Sequence, residues 1–149
     1  MFRTEPMQKR YLSQVVQLEA EIASYPWSQG MFLEELFLNS FFRVVVQLPE
    51  RVIGFLVARQ FPDAWHLLNV GILPEFRRQS WARKLLTEWM EMVKQTPDLV
   101  LLLEVGVSNQ PAIKLYESMG FFPIHRRHDY FVGKKGVEDA WLMQGFCIP

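Results

Sequence analysis

Apolar residues recur at helical spacing over residues 7–23, where Tyr11, Leu12, Val15, Val16, Leu18 and Ile22 share a face before Pro26 closes the segment. This predicts an amphipathic helix. A second, shorter helix starts at Ser28, a favourable N-cap, and uses Met31, Phe32, Leu36 and Phe37 until Asn39 and Ser40 stop it. The chain then turns β-rich. Phe41 to Leu48 and Val52 to Gln60 flank Pro49-Glu50-Arg51, a hairpin signal, and Pro62-Asp63 marks the next turn. Trp65 to Ile72 reads as a third strand of that meander, and Gly71 inside it suggests a bulge or a close backbone approach.

Helical period returns after Pro74 through Trp81, Leu85, Leu86, Trp89, Met92 and Val93, up to Thr96-Pro97. The most apolar stretch, Leu99 to Leu103 with Val105, reads as a buried core strand. It is far shorter than the roughly 20 residues needed to cross a bilayer. Ser108-Asn109-Gln110-Pro111 opens a helix with a cap and an early proline, Ile113, Leu115, Tyr116 and Met119 supply its face, and Gly120 stops it. Two last strands, 122–131 and 138–147, flank the turn-forming Gly133-Lys134-Lys135-Gly136.

The order helix, helix, three strands, helix, strand, helix, two strands has no internal repeat and no low-complexity linker. It predicts one α/β domain over residues 1–149 built on a mixed sheet. The strand-helix-strand unit from 65 to 105 makes its two strands parallel and neighbouring. A glycine-marked bulge in one of them would splay the pair apart.

Composition narrows the function classes. The chain has 149 residues, half of them apolar, enough for one ordinary domain with a core that needs no metal or disulfide. Cys147 is the only cysteine, which excludes an intrachain disulfide and fits a reducing compartment. Sixteen Lys and Arg balance sixteen Asp and Glu, which argues against a general nucleic-acid binder held by phosphate contacts. Any anion site must be local. Glu5 and its polar neighbours interrupt what a signal peptide would need as an apolar core, so a cytoplasmic location with no membrane partner is expected.

Three places carry candidate chemistry. At the junction from Ile72 to Lys84, four cations surround a helix start whose free N–H groups and positive dipole end suit a pyrophosphate; a solvated basic turn is the plainer alternative. Glu104 lies at the carboxyl end of the most apolar strand, where a carboxylate is costly unless solvated, paired or used, and where open α/β sheets place ligands. Ser108-Asn109 precede Tyr116, whose phenol can protonate a leaving group or can simply be a half-buried core tyrosine. His125, His128 and Asp129 have ligand-like identities, but Arg126 and Arg127 between them would repel a metal cation. No nucleophile-elbow G-x-S-x-G, phosphate-loop or dinucleotide G-x-G-x-x-G motif occurs.

Together these places resemble the GCN5-related N-acetyltransferase superfamily. The resemblance runs through Tyr25-Pro26-Trp27-Ser28, Asn69-Val70-Gly71-Ile72 with Pro74, the Arg77 to Arg83 loop, Leu103-Glu104-Val105, Ser108-Asn109, Leu115 to Phe121, and Glu138-Asp139-Ala140. It implies the splayed mixed sheet of that fold and acetyl-CoA as co-substrate, with no metal. By resemblance, Val70, Gly71 and Ile72 offer backbone groups to the acetyl and pantetheine parts. Arg78, Gln79, Ser80, Trp81, Ala82 and Arg83 hold the pyrophosphate, and Asn109 contacts the cofactor. Glu104 is implied as the general base and Tyr116 as the general acid. Within the superfamily the similarity is to the enzymes that acetylate the N-terminal alanine of a small-subunit ribosomal protein.

One position departs from the family pattern. The loop Q/R-x-x-G-x-G/A here has Ser80 in place of its first glycine. If only the N–H at a helical φ is needed, serine serves; if a left-handed conformation is needed, serine is at a disadvantage. Proton energetics favour an N-terminal acceptor, although desolvation can also depress a lysine's pKa. Near pH 7.5 an α-amine with a pKa of about 7.7–8.0 reaches its neutral form for well under 1.4 kcal/mol, whereas a lysine at about 10.4 needs roughly 4 kcal/mol from the enzyme. A single glutamate base suits the former. Competing readings are a broader Nα- or lysine acetyltransferase and a non-catalytic acetyl-CoA-binding module.

Overall fold

The computed structural model describes residues 1–96, 99–134 and 136–146. Pro97 of the expected helix end, Lys135 of the expected turn, and Cys147 all lie outside the described residues. The elements are β1 (Phe2–Pro6), α1 (Leu12–Ile22), α2 (Gln29–Phe37), β2 (Phe41–Gln47), β3 (Arg51–Phe61), β4 (Ala64–Ile72), α3 (Trp81–Val93), β5 (Val100–Gly106), α4 (Gln110–Ser118), β6 (Phe122–Gly133) and β7 (Gly136–Phe146). No helix among the described residues is long and apolar enough to cross a membrane.

The strands form one seven-stranded sheet in the order β1-β2-β3-β4-β5-β7-β6. All pairs are antiparallel except β4 with β5, the parallel pair expected from the strand-helix-strand unit. The predicted order holds from α1 onward. Strand β1 is additional: Phe2 to Pro6 pairs with Gln47 to Arg43 at the sheet edge. The first helix also starts later than expected, because Lys9–Tyr11 form a single 3₁₀ turn before α1.

Alternating burial explains the layers. Val44 and Val46 of β2, and Ile53, Phe55 and Val57 of β3, are fully buried, as are Val15 of α1 and Phe32 of α2. On α3, Leu85, Leu86, Trp89 and Val93 recur at helical spacing with no exposed surface. Each such side chain stabilises the fold by about 1.5–3 kcal/mol relative to exposure. Ser28 caps α2 as predicted, its hydroxyl accepting from the Met31 N–H at 3.3 Å.

The feature that positions the site is the parting of β4 from β5. The two pair from Ala64 with Val100 up to Leu67 with Leu103, and no further. Beside the last pair, the β3–β4 register steps from Ala58 with Leu67 to Val57 with Asn69, leaving Leu68 as the extra residue of a bulge. The bulge is therefore at Leu68 and not at Gly71. Gly71 instead marks a close approach: a Cβ there would lie 2.7 Å from Ile22 Cδ1 and 3.0 Å from Phe55 Cε1.

Candidate active site

Beyond Leu68 the strands enclose a cleft of about 1030 Å³, lined on one bank by Asn69 to Ile72 and on the other by Glu104 to Gly106. Residues 69–72 keep their β3 partners Val57, Leu56, Phe55 and Gly54, but have none on β5. Backbone N–H and C=O groups directed away from β3 therefore face the cleft without a ladder partner. Buried or half-buried, such groups demand hydrogen bonds. An extended ligand with alternating amides satisfies them as a strand would.

The start of α3 closes one end of the cleft. Arg77 Nε donates to the Ile72 carbonyl at 3.2 Å, which ties the loop to the end of β4. Arg78 and Ser80 then take left-handed backbone conformations, φ 62° and 65°. Ser80 is the N-cap residue of α3, yet its side chain makes no capping bond. The first N–H groups of α3 thus remain open at the positive end of the dipole, next to Arg77, Arg78 and Arg83. The left-handed alternative considered for Ser80 is the one adopted, at a cost of about 1–2 kcal/mol relative to an ordinary conformation. Two details differ from expectation. Gln79 is not among the residues lining the cleft. Arg83 lines it, but its Nη2 donates to Ser118 Oγ at 2.7 Å, bracing α3 against α4.

Glu104 and Tyr116 both line the cleft. The Glu104 side chain is only 9% exposed and sits between two basic groups. Its Oε2 meets His66 Nε2, and its Oε1 lies 3.4 Å from Arg127 Nε. That Arg127 nitrogen is buried and makes no hydrogen bond among the described residues, so it acts on the carboxylate through charge. Tyr116 is buried, its ring edge-on to Phe121 at 6.1 Å, and its hydroxyl makes no hydrogen bond among the described residues. Burial pushes the phenol far above its ordinary pKa, so it keeps its proton. Asn109 caps α4, its Oδ1 accepting from the Ala112 N–H at 3.3 Å, and its amide end is left at the cleft rim.

The opposite mouth is aromatic and acidic. Tyr25 stacks on Phe131 with centroids 5.2 Å apart, and Tyr130 meets Phe131 edge-on at 4.9 Å. Glu19 of α1 is 2% exposed and accepts from the Trp27 N–H at 3.0 Å and from Asn69 Nδ2 at 2.7 Å, pinning the α1–α2 connection to β4. Burial pushes its carboxyl above the usual range, and those two hydrogen bonds oppose the shift. Glu138 Oε1 accepts from the Ser108 N–H at 2.8 Å and hydroxyl at 2.5 Å.

His128 and Asp129 belong to a bulge between Arg127 and Phe131, with Asp129 at φ 51°. Asp139 organises it, accepting from the Asp129 N–H at 2.9 Å and from Arg126 Nε at 2.9 Å, with His128 Nδ1 at 3.2 Å. The Asp129 N–H and then Arg126 hold the Asp139 carboxyl below its usual range. His125 sits opposite Leu142 of β7, away from this cluster. Among the described residues no group of three or more His, Cys, Asp or Glu could hold a metal ion.

Sequence reasoning missed His66 and Glu19. His66 becomes a partner of Glu104 only through the parallel register that sets it opposite Leu102. Glu19 reads as an ordinary exposed helix charge. Its one signal is a carboxylate in the span between Leu18 and Ile22, both on the apolar face.

Residues 12–121 match the sequence model of the Acetyltransferase (GNAT) family. The ribosomal protein bS18-alanine N-acetyltransferase of Salmonella typhimurium is 32% identical over 130 residues, 85% of either chain. The crystal structure of the ribosomal-protein-S18-alanine N-acetyltransferase from Escherichia coli superposes with a TM-score of 0.89 at 26% identity, covering 100% of this chain and 96% of the other. Arabidopsis thaliana NAA60, crystallised in complex with acetyl-CoA, shares the fold with a TM-score of 0.87 at 19% identity, covering 98% of each chain.

Proposed function

The chain belongs to the acetyltransferase (GNAT) family, and from this premise we propose that it moves the acetyl group of acetyl-CoA onto the N-terminal α-amine of a ribosomal protein, bS18, with alanine as the acceptor residue. The reading extends to the chain what its 32% identical relative is named for. In this reading residues 1–149 work as one catalytic domain in the cytoplasm, where ribosomal proteins are made. One observation carries it: β4 parts from β5 directly beside a nearly buried carboxylate, Glu104, with a buried phenol, Tyr116, lining the same cleft.

The residues divide the work. Cleft-facing backbone groups among Val70, Gly71 and Ile72 align the pantetheine and the thioester, while the open N–H groups of Trp81, Ala82 and Arg83 beside Ser80 and Arg78 take the pyrophosphate. Asn109 supplies a further cofactor contact at the rim. Glu104 accepts a proton from the acceptor amine as nitrogen bonds to the acetyl carbon. Tyr116 gives a proton to the sulfur as the carbon–sulfur bond breaks, and its raised pKa means it holds that proton until negative charge develops there. The Tyr25 and Phe131 rings line the side from which the acceptor approaches, with Tyr130 edge-on to Phe131. An α-amine needs little help to become neutral, which one carboxylate can give.

The test is mass spectrometry of acceptor peptides after incubation with acetyl-CoA. An alanine-initiated bS18 peptide is expected to gain one acetyl group on its α-amine. Acetylation of internal lysines with a free N-terminus left intact would replace this reading with a lysine acetyltransferase. Uptake of acetyl-CoA in calorimetry with no transfer to either amine would leave only a binding module.

A further inference from the structure

Resting on the assignment of Glu104 as base, we infer that His66 is a positioning residue for it, whose imidazole holds one oxygen of the Glu104 carboxylate and thereby aims the other at the acceptor amine. His66 lies in β4, opposite Leu102 of β5. Side chains two apart on a strand share a face, so Glu104 stands on the same face as His66, one step along. Its Oε2 meets His66 Nε2, and its Oε1 is the oxygen near Arg127. A carboxylate on a short strand-end stem has rotational freedom; contact with an imidazole anchored in the sheet fixes one oxygen and thereby aims the other.

Arg127 is a permanent cation, and its Nε lies 3.4 Å from the other carboxylate oxygen. In the tautomer that carries its proton on Nε2, His66 donates to Oε2, and Oε1 is left to take the amine's proton.

Beside Arg127, the Tyr130 phenol also lies within reach of the Glu104 charge, and burial first and that charge second push its pKa up. Across β3, the register partner of His66 is Arg59, whose guanidinium is already held by Glu35 of α2. Phe61 presents its ring edge-on to the imidazole at 6.2 Å. On the far side, His125 of β6 is opposite Leu142, the β7 partner of Glu104. His66 Nδ1 makes no hydrogen bond among the described residues, and the side chain is 20% exposed.

The experiment compares wild type, His66→Gln, His66→Ala and Glu104→Gln with acetyl-CoA and the alanine-initiated peptide, reading kcat and KM from pH 5 to 9 and acetyl-CoA binding by calorimetry. His66→Ala is expected to lose tenfold or more in kcat with acetyl-CoA affinity within twofold of wild type. His66→Gln, whose amide N–H can still reach Glu104, is expected to recover most of that loss. Wild-type kcat in both variants, or a His66→Gln variant as slow as His66→Ala, would overturn the proposal. So would losses of kcat that merely track losses of acetyl-CoA binding, which mark a structural strut. Failure of the base assignment is distinguishable, because it appears as wild-type turnover in Glu104→Gln.

Discussion

Leu67 and Leu103 are the last residues to pair between β4 and β5. Below them the ladder is continuous; above them the main chain of residues 69–72 has strand partners on the β3 side only. Amide hydrogen exchange should report the boundary. Acetyl-CoA is expected to slow exchange at amides within residues 69–72, while amides of the β4–β5 ladder at and below Leu67 are slow with or without it. Equal protection on both sides in the unliganded protein would mean the slot is closed.

Glu104→Gln and Tyr116→Phe should each remove a proton-transfer step and leave the binding surfaces intact. General acid or base catalysis contributes about 10²- to 10⁴-fold, and losses of kcat in that range are expected with acetyl-CoA binding retained. The Tyr116 hydroxyl has no hydrogen-bond partner among the described residues, so Tyr116→Phe should change stability by no more than about 0.5 kcal/mol. Thermal unfolding beside steady-state kinetics checks both halves.

Ser80 holds a left-handed conformation without a capping bond in return. Ser80→Gly removes the steric cost of about 1–2 kcal/mol, less about 0.4–1 kcal/mol for the freer unfolded chain. The net gain is expected to raise Tm by a few degrees and leave acetyl-CoA binding at least as tight. Ser80→Ala keeps the strain and should unfold like wild type.

Burial raises the pKa of Glu19 in the folded state. Between the ordinary glutamate value near 4.3 and that raised value, the folded chain holds the proton and the unfolded chain has released it, so stability falls as pH rises through this window. Glu19→Gln retains an acceptor for the Trp27 N–H and Asn69 and removes the charge. Its Tm should exceed that of wild type at neutral pH, with the advantage shrinking toward pH 4.

Most of the layers were legible because each depends on local pattern. The Leu85, Leu86, Trp89, Val93 stripe of α3 and the caps Ser28 and Asn109 announce themselves over a few residues. Strand β1 was not legible: Phe2 to Pro6 has one strongly apolar residue, ends in proline, and is extended only because β2 offers it an edge. The place of Gly71 in a strand was readable, but the bulge falls at Leu68, where cross-strand register decides. Glu104 and Tyr116 could be named from strand end and helix face. His66 could not, since its contact with Glu104 spans 38 residues and exists only once β4 and β5 are side by side.

In the proposed binding mode the coenzyme is gripped chiefly by peptide groups, those of residues 69–72 and of the first turn of α3. Side chains there are free to drift under mutation as long as the chain follows the same path, and Ser80 in a left-handed niche is one such drift already accommodated. What is inherited is a trajectory more than a spelling. A protein at 19% identity can therefore share the same fold, and in the same binding mode the choice of acceptor would be left to the rings and charges around the opposite opening.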